Sequence, residues 1–143
     1  MSATLDANIL LFASDESSPF HRHARSFLGE LAAGPGIVYL FWPVVMAYLR
    51  IATHSAIFRS PLPLERAIEN MEALLSRPHV QSPGEQASFW PTFRAVTEPA
   101  SIRGNLVPDA HLVALMRQND IGTIYTHDRD FRRFDGVEVI DPL

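Results

Sequence analysis

Asp6, Asp109, Asp128 and Asp130 are the side chains of this sequence best placed to do chemistry. Asp6 closes a short apolar run, Ala3 to Leu5, that reads as a strand. Asp128 and Asp130 follow a second such run, Gly122 to Thr126, and Asp109 stands in the first turn of the helix leading into it. If the two strands are neighbours in one sheet, the four acids meet at one edge. Converging carboxylates repel one another, and their pKa values rise unless a cation joins them. Hard oxygen donors without sulfur suit Mg²⁺ or Mn²⁺. Such an ion activates water and offsets charge on a phosphodiester. Each acid also has an ordinary structural use. Asp6 after a strand is a natural helix cap, Asp109 favours a helix dipole, and Asp128 in Thr126-His127-Asp128-Arg129-Asp130 suits an Asx-turn. A metal site is indicated by their shared address, not by any one acid.

The elements that must carry these acids are read from periodicity. Asn8 to Phe12 starts a helical turn and Ser14 to Ser18 is a polar loop. Pro19 to Ala33 reads as a helix, with Phe20, Ala24, Phe27, Leu28 and Leu31 at helical spacing and Gly34-Pro35-Gly36 as its stop. Ile37 to Leu40 is a second strand, and Pro43 fits the first turn of a helix running to about Thr53. Leu64 to Ser76 is another helix and His79-Val80 a very short strand. Ser82 is expected to cap a helix through about Val96, with Pro83 at its first position and Glu85 three residues on from the cap. Pro91 should kink or break that helix. Pro108 to Asn119 is a clear helix, Asp128 to Phe134 a turn or short helix, and Val137 to Ile140 a final strand. Strands alternating with helices imply an α/β fold, an α/β/α sandwich with a short central parallel sheet. Its active edge lies at the carboxyl ends of the strands. Residues 1–143 are expected to form one domain.

Composition excludes several classes. The chain is 47% apolar and 20% charged, as an ordinary soluble domain is. It has no cysteine, so disulfides and thiolate metal sites are ruled out. The longest apolar run, Gly36 to Leu49, is too short to span a bilayer and contains Pro43. With no basic segment ahead of the first apolar stretch, no signal peptide is expected and the protein reads as cytoplasmic. The net charge of −4 does not point to nucleic acid, but bulk charge says little about one groove. All twelve basic residues are arginine, which suits bidentate phosphate contacts. Arg50, Arg103 and Arg129 lie in segments near the acids and are candidates to bind phosphate, although Arg50 packed on a helix surface and Arg129 simply exposed are the preferred readings. Arg132 and Arg133 extend a positive rim or solvate a turn. The six histidines show no zinc-like spacing; His111 and His127 flank the acids. Phe41, Trp42, Phe89, Trp90 and Phe93 read as core or interface. Asn8 stands where an aspartyl phosphatase would carry a second Asp, and no P-loop, GxSxG or GxGxxG is present.

Three segments carry a resemblance. Leu5-Asp6-Ala7-Asn8-Ile9-Leu10-Leu11 resembles the opening motif of PIN domains. Asn105 to Leu112, with Pro108-Asp109-Ala110 at its centre, resembles the third-acid segment of their bacterial toxin branch, the VapC type. Thr126-His127-Asp128-Arg129-Asp130-Phe131 resembles the closing T-x-D-x-D-F motif, and Trp42 to Thr53 is similar to a subgroup of those toxins. The resemblance implies a PIN-like, Rossmann-like fold and a Mg²⁺- or Mn²⁺-dependent endoribonuclease that leaves 5′-phosphate and 3′-hydroxyl ends. It also implies an RNA substrate (tRNA among the plausible ones), a small inhibitory antitoxin and commonly a homodimer. By motif position, Asp6, Asp109 and Asp128 would be catalytic, metal-binding carboxylates. Asp130 would be a further ligand or a support, and Asn8 and Thr126 would orient the acids. One position departs from the pattern. Ala47 stands where many PIN nucleases carry a glutamate on the helix after the second strand, and no acid occurs between Gly36 and Pro63. Asp15 and Glu16 are possible substitutes. The alternative is a catalytically degenerate PIN-like binding module.

Overall fold

A computed structural model describes residues 2–143. It contains five strands, β1 (Ser2–Leu5), β2 (Ile37–Tyr39), β3 (Val80–Gln81), β4 (Thr123–Tyr125) and β5 (Glu138–Ile140). The helices are α1 (Ala7–Ser14), α2 (His21–Ala33), α3 (Trp42–Ala52), α4 (Leu64–Leu75), α5 (Phe89–Thr97) and α6 (Leu106–Gln118), with a 3₁₀ helix over Arg129–Arg133. The strands form one parallel sheet in the order β3-β2-β1-β4-β5. α1 packs on α2 and α3, α3 on α4, and α5 on α6, and the usual right-handed crossover sets those after β1 and β2 on the face opposite those between β3 and β4. The expected α/β architecture is therefore the one observed.

β1 lies at the centre, and Ala3, Thr4 and Leu5 are buried. The Thr4 hydroxyl donates to the Tyr39 carbonyl at 2.7 Å, so its burial leaves no polar atom unmatched. The chain steps from β1 outward to β2 and β3, then returns across the sheet to β4 and β5. The order reverses between β1 and β4, and the crevice beyond their carboxyl ends is where open α/β sheets bind ligands. Asp6 follows β1 and Thr126 follows β4, and the Asp6 amide donates to the Tyr125 carbonyl at 3.0 Å. α6 leads into β4 and is buried along Leu112–Met116 in an unbroken run. It is a core helix wedged against α5, not an amphipathic surface helix, so its apolar stripe is broad.

Three helix starts differ from the sequence expectation, two of them because of proline. Ser82 does not cap a helix. Residues 82–88 are irregular, tied down by Gln118, which accepts from the Gln86 amide at 2.9 Å and donates to the Gly84 carbonyl at 3.0 Å. α5 starts at Phe89, which places Pro91 third in the helix. A helix begun at Pro83 would drive the Pro91 ring against the carbonyl four residues back. Started at Phe89, the missing amide is one of the first-turn groups that have no partner in any case. α6 likewise begins at Leu106 and holds Pro108 third, two residues earlier than expected. α2 starts at His21, because the Ser18 hydroxyl accepts from the Phe20 amide at 3.1 Å and holds Pro19 and Phe20 in a turn.

Candidate metal centre

Asp6 is the N-cap of α1, and its Oδ1 accepts from the Ala7 amide at 2.7 Å. Its other oxygen accepts from the Thr126 hydroxyl at 3.2 Å. Thr126 is fully buried and uses its whole hydrogen-bonding capacity here. It donates to Asp6 and accepts from Asn8 Nδ2 and from the Asp128 amide, both at 3.0 Å. Asn8 Oδ1 faces the His127 amide at 3.5 Å. One hydroxyl thus ties the carboxyl end of β1 to that of β4. Asn8 and Thr126 both lie against the acids, and no local signal in the sequence gives this contact across 118 residues.

Asp128 caps the 3₁₀ helix, its Oδ1 accepting from the Asp130 amide at 2.9 Å. This is the Asx-turn expected of it, and it turns Asp130 back toward α6. Asp109, Asp128 and Asp130 each place a carboxylate oxygen within 4.8 Å of the others. Asp6 stands beside this trio rather than in it, engaged by Ala7 and Thr126, yet close enough that its charge acts on Asp109 and that of Asp128 acts on it. Burial pushes the Asp109 carboxyl from 3.8 up to about 7, and the charges of Asp6, Asp128 and Asp130 add to the rise. Arg133 opposes it. Burial also raises Asp6, against the pull of the Ala7 amide and the Thr126 hydroxyl. The site is thus an acid cluster short of positive charge.

That donor set fits a hard divalent cation. Oxygens facing one another across Mg²⁺ stand about 4 Å apart, so a 4.8 Å spread closes with small rotations. Waters complete the shell of an ion held by few carboxylates. Asp15 and Glu16, the possible substitutes for an acid at Ala47, are engaged elsewhere. Asp15 Oδ1 is taken by the Ser17 amide at 3.0 Å and the Ser17 hydroxyl at 2.6 Å, and Glu16 lines a separate cavity beside α2 and α4. Among the described residues, neither joins the trio.

Arg50 lies in the last turn of α3, Arg103 in the loop before α6 and Arg129 opens the 3₁₀ helix, all exposed. Among the described residues none of the three pairs with an acid. Arg133, read from the sequence only as part of a rim, is the cation that acts on Asp109. His111 bonds Glu85 at 2.7 Å and His127 bonds Asp141 at 2.8 Å. Asp141 was not singled out by the sequence, since its partner lies on another strand's loop.

Thr126→Val keeps the shape of the buried side chain and removes its polar atom. It should cost about 1–3 kcal/mol, because the Asn8 amide and the Asp128 N–H are left without their acceptor. Urea denaturation reads this directly; a variant as stable as the parent would mean that the hydroxyl does not hold the two strand ends.

A switch-point crevice rimmed by these acids defines a class. The PIN-domain family matches residues 3–137, and the chain belongs to that family. It is 52% identical over 143 residues to ribonuclease VapC48 of Mycobacterium tuberculosis, covering all of this chain and 99% of that one. It is 33% identical over 141 residues to ribonuclease VapC31 of the same organism, covering 96% of each. The chain is thus a member of the VapC-type ribonucleases. Solved structures share the fold. The VapC20 toxin of Mycobacterium tuberculosis, described as cleaving the sarcin–ricin loop, superposes with a TM-score of 0.67 at 18% identity over 95% of this chain and 98% of that one. The VapBC2 complex of Rickettsia felis, bound to a promoter DNA fragment, gives 0.69 at 16% identity over 98% of each.

Proposed function

We propose that this protein is a Mg²⁺- or Mn²⁺-dependent endoribonuclease toxin that hydrolyses RNA phosphodiester bonds in the cytoplasm. The observation that carries the proposal is the meeting of Asp109, Asp128 and Asp130 within 4.8 Å beside Asp6. The trio, with Asp6 behind it, would hold the ion. When bound, the ion supplies Lewis acidity toward water and toward the phosphate oxygens. The chain's own part is positional: Thr126 and Asn8 fix Asp6 and the start of the Asp128 loop, and the exposed Arg129 and Arg133 offer cationic contacts for an RNA backbone. Structured RNA such as tRNA is the proposed substrate class.

VapBC assemblies among the structural neighbours support a small antitoxin as inhibitor. Its proposed seat is the cavity of about 500 Å³ lined by Leu10, Tyr48, Met71 and Leu74, with exposed Arg25 and Arg66 beside them. An apolar floor with charges of both signs at its rim, Glu16 beside Arg25 and Arg66, suits the apolar face of an amphipathic segment. A homodimer belongs to the same proposal, and the exposed Trp42 and Met46, one turn apart on α3, offer an apolar face for it.

Ala47 favours a second reading, a binding module with the fold but no turnover. The purified chain, free of antitoxin, separates the two when incubated with total cellular RNA in Mg²⁺, Mn²⁺ or EDTA. Cutting in either metal and none in EDTA is the expected result. A folded chain inert in both metals would leave the binding module.

A further inference from the structure

We propose that His127 and Asp141 form a positioning pair that holds the Asp128–Asp130 loop in its metal-binding shape; this rests on the metal-site reading above. His127 Nδ1 bonds Asp141 Oδ2 at 2.8 Å, and the other Asp141 oxygen accepts from the Leu143 amide at 3.0 Å. The imidazole packs on Phe20 at 4.7 Å between ring centroids and meets Phe12 edge-on at 5.8 Å, and those two rings touch each other at 5.1 Å. Three separate segments therefore converge on one side chain: α1, the turn before α2, and the tail beyond β5. His127 stands between Thr126, which holds Asp6, and Asp128, a member of the carboxylate trio.

The rest of the loop has little else to fix it. The Asp128 carboxylate bonds only the Asp130 amide, and among the described residues the Arg129 and Asp130 side chains make no hydrogen bond. Asp128 and Asp130 sit on a turn whose anchors are the Thr126 hydroxyl and Asn8, facing the His127 amide, at one end, the buried Phe131 at the other and the His127 side chain between. The side chains of His127 and Asp141 are 37% and 42% exposed. An exposed pair contributes little to global stability, so its consequence is local. Groups that orient metal ligands typically change affinity 10–100-fold when removed, because carboxylates must be held to within a fraction of an ångström.

Calorimetric titration of the full chain with Mn²⁺ tests this, with thermal unfolding of the metal-free proteins beside it. His127→Ala and Asp141→Ala should each weaken Mn²⁺ binding about tenfold or more. The double variant should be no weaker than His127→Ala alone, which already removes the contact with Asp141. His127→Asn, whose amide takes the place of Nδ1, should recover part of the loss. Melting temperatures without metal should stay within about 4 °C of the parent. Alanine variants that bind Mn²⁺ as the parent does would overturn the pair's role, as would losses that add in the double variant. A metal-free melting temperature lowered by more than about 8 °C would make the pair a structural support instead. A parent chain that holds no Mn²⁺ would remove the metal site itself.

Discussion

Asp109→Asn is expected to lower RNA cleavage by at least about a hundredfold, more than the loss of a group that merely orients a ligand, and to make the metal-free protein harder to unfold at neutral pH and above. The two effects have one source. Asp109 shares its surroundings with Asp6, Asp128 and Asp130, and burial together with their charges raises its carboxyl from 3.8 to about 7. Between those values the folded chain holds a proton at Asp109 that the unfolded chain has released. Stability therefore falls as pH rises through that window. Below it both states are protonated and the penalty vanishes; above it the penalty is complete. Asparagine carries no charge, so the variant's advantage should open from about pH 4, widen to about pH 7 and then stay level. Melting curves in EDTA at pH 5 and pH 8 measure it. Added Mn²⁺ should raise the parent's melting temperature more than the variant's, since only the parent keeps the full ligand set. A variant that melts with the parent at both pH values and cleaves RNA normally would place Asp109 outside the site.

Such coupling of activity to instability also shows which features the sequence could reveal. The acids were legible because each sits at an element boundary, and strand ends and helix starts are marked by local patterns of apolar residues, Pro and Gly. Their meeting required β1 to lie beside β4. That follows from the topology of a parallel sheet whose order reverses once, and no short-range pattern in Ala3 to Leu5 or Thr123 to Tyr125 states it. Proline is tolerated throughout the first helical turn, not only at its first position. Pro83 and Pro108 were each set at the first helical position, whereas the chain uses Pro91 and Pro108 at the third, where a missing amide is equally harmless. The bond from Asn8 to Thr126 and the pairing of His127 with Asp141 depend on side chains brought together by the sheet, and nothing within a few residues of either signals them. The ordinary readings and the chemical one were not exclusive, moreover. Asp6 does cap a helix and Asp128 does close an Asx-turn, and the same two residues carry charge that acts on Asp109.

Asp6→Asn separates the two roles of that residue. Asparagine caps helices about as well as aspartate, and its side-chain oxygen can still accept from the Ala7 amide, so the fold should survive, at a cost of about 1–3 kcal/mol because its amide N–H then faces the Thr126 hydroxyl in place of an acceptor. The negative charge beside the trio is gone, however, and cleavage should fall at least about a hundredfold, as for Asp109. Asp6→Ala removes cap and charge together. It should cost about 0.5–2 kcal/mol of stability for the lost cap, and more if the Thr126 hydroxyl, buried at the junction of β1 and β4, finds no new acceptor. Its activity should be no lower than that of the asparagine variant, since both lack the same charge. If the asparagine variant cuts RNA as fast as the parent while only the alanine variant fails, Asp6 acts through the helix it starts, and the ion must be held by Asp109, Asp128 and Asp130 without it. If both fail equally while the alanine variant is the more destabilised by the lost cap, the capping bond serves to point a charge, and the bare trio is too few ligands for turnover in a chain with Ala47 in place of the helix acid.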